Sequence, residues 1–323
     1  MLRSTRARER FGDYQLVRRI ATGGMAEIFE ARREGAHGFT RRVAIKRILP
    51  QLRAEPKLVQ MFCDEARVQA SLSHPNLVEV LDFGEVDGRL FMALEYVDGT
   101  TVAGLMESIF NRRRTVDLPV VLYLVNEVLR GLAHLHEARD GLDRPLGLVH
   151  RDIAPNNVLI GRVGEVKIAD FGIIFSRFSA RRTSPGELRG KVGYISPEQA
   201  RGEAVDARSD LFSLGVMAAE MLTGKALFQG RTIPEVMQHL VSGDLTILRT
   251  YGAHLPASVR DVLSRALHVD PRLRYQSATR FMSDVEYLQQ SLGLTMGGYS
   301  FTEWMADMGL LRLSSTVTPV RRR

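Results

Sequence analysis

Val149-His150-Arg151-Asp152-Ile153-Ala154-Pro155-Asn156-Asn157-Val158-Leu159-Ile160 is the stretch whose reading decides the fold. It sets charged and amide side chains between apolar residues of strand type. Asp152 can accept a proton from a hydroxyl. Asn157, five residues on, can offer an amide oxygen to a hard cation such as Mg²⁺. Lys167-Ile168-Ala169-Asp170-Phe171-Gly172 then brings a second carboxylate behind a short strand. One carboxylate for a substrate hydroxyl and one for a metal is the pairing that phosphoryl transfer needs. Either triplet alone is chance-level. The two in this order and spacing, each flanked by apolar runs, are specific.

A chain of 323 residues makes one large domain or two lobes. Its 45% apolar and 25% charged residues are those of an ordinary soluble globular protein. The net charge of +7 collects in arginine clusters at Arg3 to Arg10, Arg112 to Arg114, Arg181-Arg182 and Arg321 to Arg323. No aromatic residues interleave with them, so they read as solvated loops and tails, and no nucleic-acid partner is expected. Anionic partners stay open. The single cysteine, Cys63, excludes an internal disulfide and fits a reducing compartment, so a cytoplasmic location is expected. The charged N-terminus is not followed by an apolar core, as a secretory signal requires. The longest apolar stretches, Leu118 to Leu129 and Leu211 to Leu222, read as too short to span a bilayer, and no membrane segment is expected.

In chain order, Tyr14 to Ala21 and Glu27 to Arg32 alternate like strands around Thr22-Gly23-Gly24-Met25-Ala26. Glycines at such a tip let backbone N–H groups approach phosphates, although a plain hairpin would look the same. Arg42-Val43-Ala44-Ile45-Lys46 is a third strand, ending on a lysine that either serves chemistry or snorkels to solvent. Glu55 to Ser71 reads as a helix, with Leu58, Met61, Phe62, Ala66 and Ala70 near one face and Glu65 placed to pair with Lys46. Leu77 to Phe83 and Arg89 to Tyr96 are two more strands. Helices follow at Pro119 to Ala138, Asp206 to Leu222, Ile233 to Val241, Ser258 to Leu267 and Ser277 to Leu292. Ser176 to Arg189 is long, basic and aperiodic, like a functional loop.

From about Phe11 to Ser291 this chain resembles the protein kinase family, and within it the bacterial serine/threonine kinases of the eukaryotic-like (Hanks) type. The roles that follow are carried over from that family by motif. The resemblance implies an α+β, bilobal fold. A small antiparallel sheet lobe with one main helix spans about residues 11–95, and a larger, mainly helical lobe about 98–291. Residues 1–10 form a basic extension and 292–323 a tail. The implied cofactors are ATP and Mg²⁺, with Mn²⁺ as an alternative. Thr22, Gly23 and Gly24 resemble the phosphate-covering loop, and Ile28, Ala44, Val97 and Leu159 the adenine-pocket walls. Lys46 of Val43-Ala44-Ile45-Lys46 matches the α/β-phosphate ligand, and Glu65 its helix partner. Leu94 looks like the residue behind the adenine, with Glu95-Tyr96-Val97 as the hinge. Asp152 matches the catalytic aspartate, and Asn157 and Asp170 the metal ligands. Ser196-Pro197-Glu198 resembles the close of the activation segment, with Glu198 pairing Arg274. Asp210 and Gly215 match the buried anchor helix. The implied activity is Mg·ATP-dependent phosphorylation of Ser/Thr hydroxyls on protein substrates, with autophosphorylation of the activation loop at Thr183 or Ser184.

Three departures from the family pattern stand out. Ala21 and Ala26 replace the outer glycines of the glycine loop, and alanine tolerates left-handed backbone poorly. Ala154 replaces the catalytic-loop lysine, while Pro155 keeps the serine/threonine form. Gly190-Lys191 stands where the family has Gly-Thr, so Lys191 is expected either to restore the missing ammonium beside Asp152 or to point to solvent in a kinase that runs slowly. The competing reading is a catalytically weak pseudokinase acting as a nucleotide-binding or scaffold module. In the tail, Ser300-Phe301-Thr302-Glu303 has capping-box form. Phe301, Trp304, Met305 and Met308 recur at helical spacing, so a short amphipathic helix over 300–312 is expected, either packed on its own lobe or docking a partner.

Overall fold

The computed structural model describes residues 9–170 and 192–310. These form two compact units, one built from residues up to Ser73 with Val78–Val97, the other from His74–Leu77 with the residues from Asp98 onward. The architecture is the expected bilobal one, a curled antiparallel sheet unit and a helical unit.

In the first unit the sheet runs β1 (Arg10–Phe11), β2 (Tyr14–Thr22), β3 (Ala26–Glu34), β4 (Thr40–Ile48), β6 (Arg89–Glu95), β5 (Val80–Val86). Helix α1 (Pro56–Ala70) connects β4 to β5. Alternation sorts the strand residues. Val43 and Ile45 join Phe11, Tyr14, Leu16, Ala31, Phe91 and Ala93 in one core cluster. Ala44 and Lys46, one residue out of step, belong to the other face. Leu77 does not open a strand with Phe83, as its apolar run suggested. It bridges Ile168 in parallel and belongs to the second unit, and β5 begins only at Val80.

The second unit is centred on α3 (Leu118–His136) and α5 (Ala207–Thr223), two buried helices that pack on each other. β7 (Gly99–Thr101), which precedes α3, and β8 (Val158–Gly161) and β9 (Val166–Ile168), which lie between the two helices in sequence, form a second small antiparallel sheet. Asp206 caps the start of α5 by accepting from the Arg208 N–H, and Gly224 ends it at φ 66°, where an L side chain would be strained. Helix α3 runs to His136. At 19 residues it is long and apolar enough to cross a bilayer, contrary to the reading of its sequence, yet 67% of its most apolar window is buried inside the unit.

The tail helix α10 (Gly298–Asp307) starts two residues before the expected Ser300. Gly297 is its cap and no side chain caps it, so the capping box is not formed; Ser300 lies inside the first turn. Its apolar face is covered by its own unit. Phe301 is fully buried with its ring 5.0 Å from that of Tyr123, Met305 and Leu310 are buried, and the Trp304 indole donates to Asp117 at 2.8 Å. Of the two expectations for this helix, packing on its own lobe or docking a partner, the buried Phe301 and Met305 agree with the first. Phe301→Ala should lower the free energy of unfolding by about 3–5 kcal/mol, measured by urea titration. A change below about 1 kcal/mol would mean that this helix is not part of the core.

Candidate active site

One group of the predicted residues lies in each unit. In the sheet unit, register places several of the residues expected to line the cofactor together. Ile28 on β3 lies opposite Lys46 on β4, and Ala44 opposite Leu94 on β6. Residues two apart on a strand share a face, so Ile28, Ala44, Lys46 and Leu94 line one side of the sheet. Met92, opposite Lys46 and fully buried, joins that side and was not anticipated. Lys46 donates to Glu65 of α1 at 2.6 Å, with the glutamate fully buried and the lysine nearly so. A buried charge needs a partner of opposite sign, and the pair fixes the ammonium group above the sheet.

The glycine turn resolves one departure. The Gly23 N–H donates to the Ala26 carbonyl at 2.8 Å, and the Leu49 N–H to the Met25 carbonyl at 2.9 Å. No residue from Ala21 to Ala26 has a positive φ. The two alanines therefore occupy backbone that any L residue adopts, and the turn closes without the outer glycines.

In the helical unit the expected catalytic residue Asp152 and the expected metal ligand Asn157 sit on the loop Val149–Asn157. Asp210 of α5, fully buried, accepts from the backbone N–H of His150 at 2.8 Å with one oxygen and from that of Arg151 at 2.7 Å with the other. The His136 ring lies 2.8 Å from the same carboxylate. Arg151 is held at φ 67°, a left-handed conformation costly for a residue with a long side chain. Two charge-assisted bonds to Asp210, and the Gln199 amide donating to the Arg151 carbonyl at 3.0 Å, hold it there. The buried His150 ring joins two loops. Its Nδ1 accepts from the Asp152 N–H at 3.3 Å, and its Nε2 lies 3.2 Å from the Ala169 carbonyl oxygen. That pattern requires the neutral Nε2–H tautomer, and burial, which pushes the imidazole pKa down, favours it.

Asn157 donates through its amide nitrogen to both the carbonyl and the carboxylate of Asp152, at 2.7 and 2.9 Å. Its N–H₂ group is thereby committed, and the amide oxygen is what it has to offer a cation. The Ala169 N–H returns to the Asn157 carbonyl at 2.8 Å, which ties Asp170 to the same loop. An amide oxygen and the Asp170 carboxylate are hard oxygen donors of the kind that suits Mg²⁺. Asp170 is itself left-handed, at φ 54°.

The segment Ser196-Pro197-Glu198 is locked as expected. Ser196 forms a capping box with Gln199 at the start of α4 (Pro197–Arg201). Arg274 makes a two-pronged pair with Glu198 at 2.8 and 2.7 Å, and Ser209 donates to the same carboxylate. Two residues earlier, the Tyr194 hydroxyl donates to Glu220 of α5 at 2.5 Å, and the Leu227 N–H to its other oxygen at 2.8 Å. Both donors are neutral. Burial therefore pushes the Glu220 carboxyl up to about 7. Sequence spacing carries no sign of the Tyr194–Glu220 bond, because nothing in either helix or loop pattern marks a buried carboxylate without a cation. Lys191, Thr183 and Ser184 lie outside the described residues. Ala154, the site of the missing lysine, is extended at φ −154° and 5% exposed.

Comparison with known proteins agrees with this geometry. The family model described as protein kinase domain matches residues 14–285. The chain is 40% identical over 276 residues to the tyrosine-protein kinase MasK of Myxococcus xanthus, covering 85% of this chain and 43% of that protein. It is 30% identical to the serine/threonine-protein kinase PrkC of Bacillus subtilis, over 85% of this chain and 40% of that one. The chain thus spans less than half the length of these relatives. A crystal structure of the PknI kinase domain of Mycobacterium tuberculosis matches with a TM-score of 0.65 at 27% identity, covering 90% of this chain and 100% of that one.

The raised Glu220 carboxyl makes stability depend on pH. A carboxyl of higher pKa in the folded chain binds its proton more tightly there than when unfolded. The stabilisation is complete below 4.5, its ordinary value, and is lost as pH rises through about 7. Wild-type stability should therefore fall relative to Glu220→Gln by about 3 kcal/mol between pH 4.5 and 8. Urea unfolding of both proteins across that range measures it; parallel pH profiles would contradict the assignment.

Proposed function

We infer the reaction from one premise: this chain belongs to the protein kinase family. We propose that it transfers the γ-phosphoryl group of Mg·ATP to Ser/Thr hydroxyls of proteins. The observation that carries the reading is the Asp152–Asn157 contact on a loop fixed by Asp210. It leaves a positioned carboxylate beside a hard oxygen donor. As the substrate hydroxyl oxygen bonds to the γ-phosphorus, Asp152 accepts its proton, and the bond to the bridging oxygen of ADP breaks. Lys46, held by Glu65, supplies positive charge to the phosphates. Asn157 and Asp170 would hold the Mg²⁺, which neutralises phosphate charge when bound. Thr22, Gly23, Gly24, Ile28, Ala44, Leu94, Glu95, Val97 and Leu159 would line the nucleotide.

Retention of Lys46, Glu65, Asp152, Asn157 and Asp170 favours an active enzyme over a scaffold. The closed glycine turn removes one of the reasons for reading the chain as a pseudokinase. Pro155 supports Ser/Thr acceptors. Similarity to MasK, named a tyrosine kinase, supports a second reading with tyrosine as acceptor. Incubation with labelled ATP, Mg²⁺ and a mixed protein substrate, followed by phosphoamino acid analysis, separates the two. Asp152→Asn should lower turnover by about 10²–10⁴-fold, the range for a lost general base. Lys46→Met should lower it by about 10²–10³-fold. Wild-type-like turnover in either variant rejects the kinase reading.

Lys191 is proposed as the charge that replaces the family lysine absent at Ala154. Lys191→Ala should then lower kcat by about 10²–10³-fold with a smaller change in KM for ATP, the pattern of a group acting in the transition state. Adding Ala154→Lys should recover part of the loss. Turnover near the wild-type rate in Lys191→Ala would reject the relocation.

A further inference from the structure

Arg47 directly follows Lys46 on β4 and points to the opposite face of the sheet, where alternation places Val43 and Ile45. An apolar residue would suit that core. Instead a guanidinium is buried there, 4% exposed. Its Nε and one terminal nitrogen both donate to a single oxygen of Glu27, at 3.0 and 2.8 Å. Its other terminal nitrogen donates to Glu9 at 2.8 Å. The guanidinium carbon lies 4.7 Å from the Phe29 ring centroid and 5.0 Å from that of Phe11. Every polar edge of this side chain is therefore matched by a carboxylate, and aromatic rings cover its apolar surface.

A buried ion pair is weak evidence for stability, because well-packed apolar residues of similar volume often do as well. What a forked guanidinium adds is geometry, since it fixes its acceptor in distance and direction. The acceptor here is informative. Glu27 is the first residue after Ala26, whose carbonyl closes the glycine turn, and it immediately precedes Ile28, which lies opposite Lys46. It also lies 3.8 Å from Arg19 on the other leg of the hairpin. The turn contains no left-handed residue, so no special backbone dihedral sets its shape. The β3–β4 ladder pairs Glu27 with Arg47 directly, and two further contacts tie the turn and the start of β3 to β4 and the residue that follows it. One is the Leu49 N–H on the Met25 carbonyl, and the other is Arg47 on Glu27.

We propose that Arg47 is a positioning residue for nucleotide binding. Through Glu27 it holds the returning leg of the glycine turn over the strand that carries Lys46. This rests on the kinase reading above, in which that turn covers the phosphates. Arg47 touches no substrate; its effect passes through the strand.

The test is direct binding of Mg·ATP by calorimetry to wild-type, Arg47→Met, Arg47→Lys, Glu27→Gln and the Arg47→Met/Glu27→Gln double variant. All are measured well below their melting temperatures. Each single variant should weaken ATP by about tenfold, within the usual range of coupling between sites. Lysine should not rescue, because a point charge lacks the fork. The double variant should be no weaker than Arg47→Met, because both changes remove one tether. At saturating ATP, kcat should stay within about twofold of wild type, the split expected when binding and not chemistry is affected. A purely structural role would lower the melting temperature and leave ATP affinity per folded molecule unchanged, and that result overturns the proposal. Additive losses in the double variant would overturn the route through Glu27. Should Arg47→Met fail to fold, Glu27→Gln alone decides between these outcomes. Wild-type protein that binds no ATP would overturn the kinase reading itself, and this proposal with it.

Discussion

Asp210 is the constraint on which the conformation of the Val149–Asn157 loop depends. A buried carboxylate is costly unless its lone pairs are used. Asp210 uses both oxygens on consecutive backbone N–H groups, those of His150 and Arg151, and has the His136 ring against it. Two adjacent amides can point at one carboxylate only if the chain turns sharply between them, and the left-handed Arg151 is that turn. Asp152 follows immediately. Its direction is thus a consequence of a helix far away in sequence, and the loop needs no regular structure of its own.

The buried ion pairs do comparable work elsewhere. Lys46–Glu65, Glu198–Arg274 and Arg47–Glu27 each join two elements, and each buries at least one partner almost completely. Burial pushes the Glu198 carboxyl up, but the bonds from Arg274 and Ser209 more than offset this and leave it low. Glu220 is the contrast. The neutral Tyr194 hydroxyl and Leu227 N–H donate to it but offset its desolvation only in part, and the carboxyl stays high. What brings the Glu198 carboxyl down is the cation beside it, which Glu220 has none of among its hydrogen-bond donors.

Much of this was legible from residue type and spacing. Strand alternation and helix periodicity located most elements to within a few residues, because each buries one face. Lys46–Glu65 was readable because an opposite charge inside an apolar pattern must find a partner, whereas Glu198–Arg274 was readable only through the family resemblance. What was not legible depended on three dimensions. The run from Leu77 looked like one strand, yet its first residue pairs with β9. The sequence Ser300-Phe301-Thr302-Glu303 matched a capping box, but the helix begins at Gly298, where burial of Phe301 against Tyr123 sets the phase. Arg47 read only as the next residue after Lys46. Its partners lie on β3 and in the N-terminal segment, and no local pattern announces them.

The placement of backbone strain completes the physical account. Six non-glycine residues among those described have positive φ. His37, Asp87, Arg113 and Asp143 lie in exposed stretches, where a turn can relax into solvent. Arg151 and Asp170 are half-buried and held by neighbours. Each such residue costs on the order of 1–3 kcal/mol, so it persists only where surrounding bonds over-determine it. The glycine turn has the reverse arrangement: it carries no left-handed residue although its sequence would permit one. Strain is therefore absent from the turn proposed to cover the phosphates and present on both loops that carry the carboxylates. A covering turn must adapt to a ligand, and tethers such as Arg47–Glu27 can hold it without forcing its dihedrals. A general base and a metal ligand must be fixed before the ligand arrives, since preorganised groups lose nothing to reorganisation during the reaction. On the proposed function, the two kinds of loop differ in how they are held in step with what each would have to do.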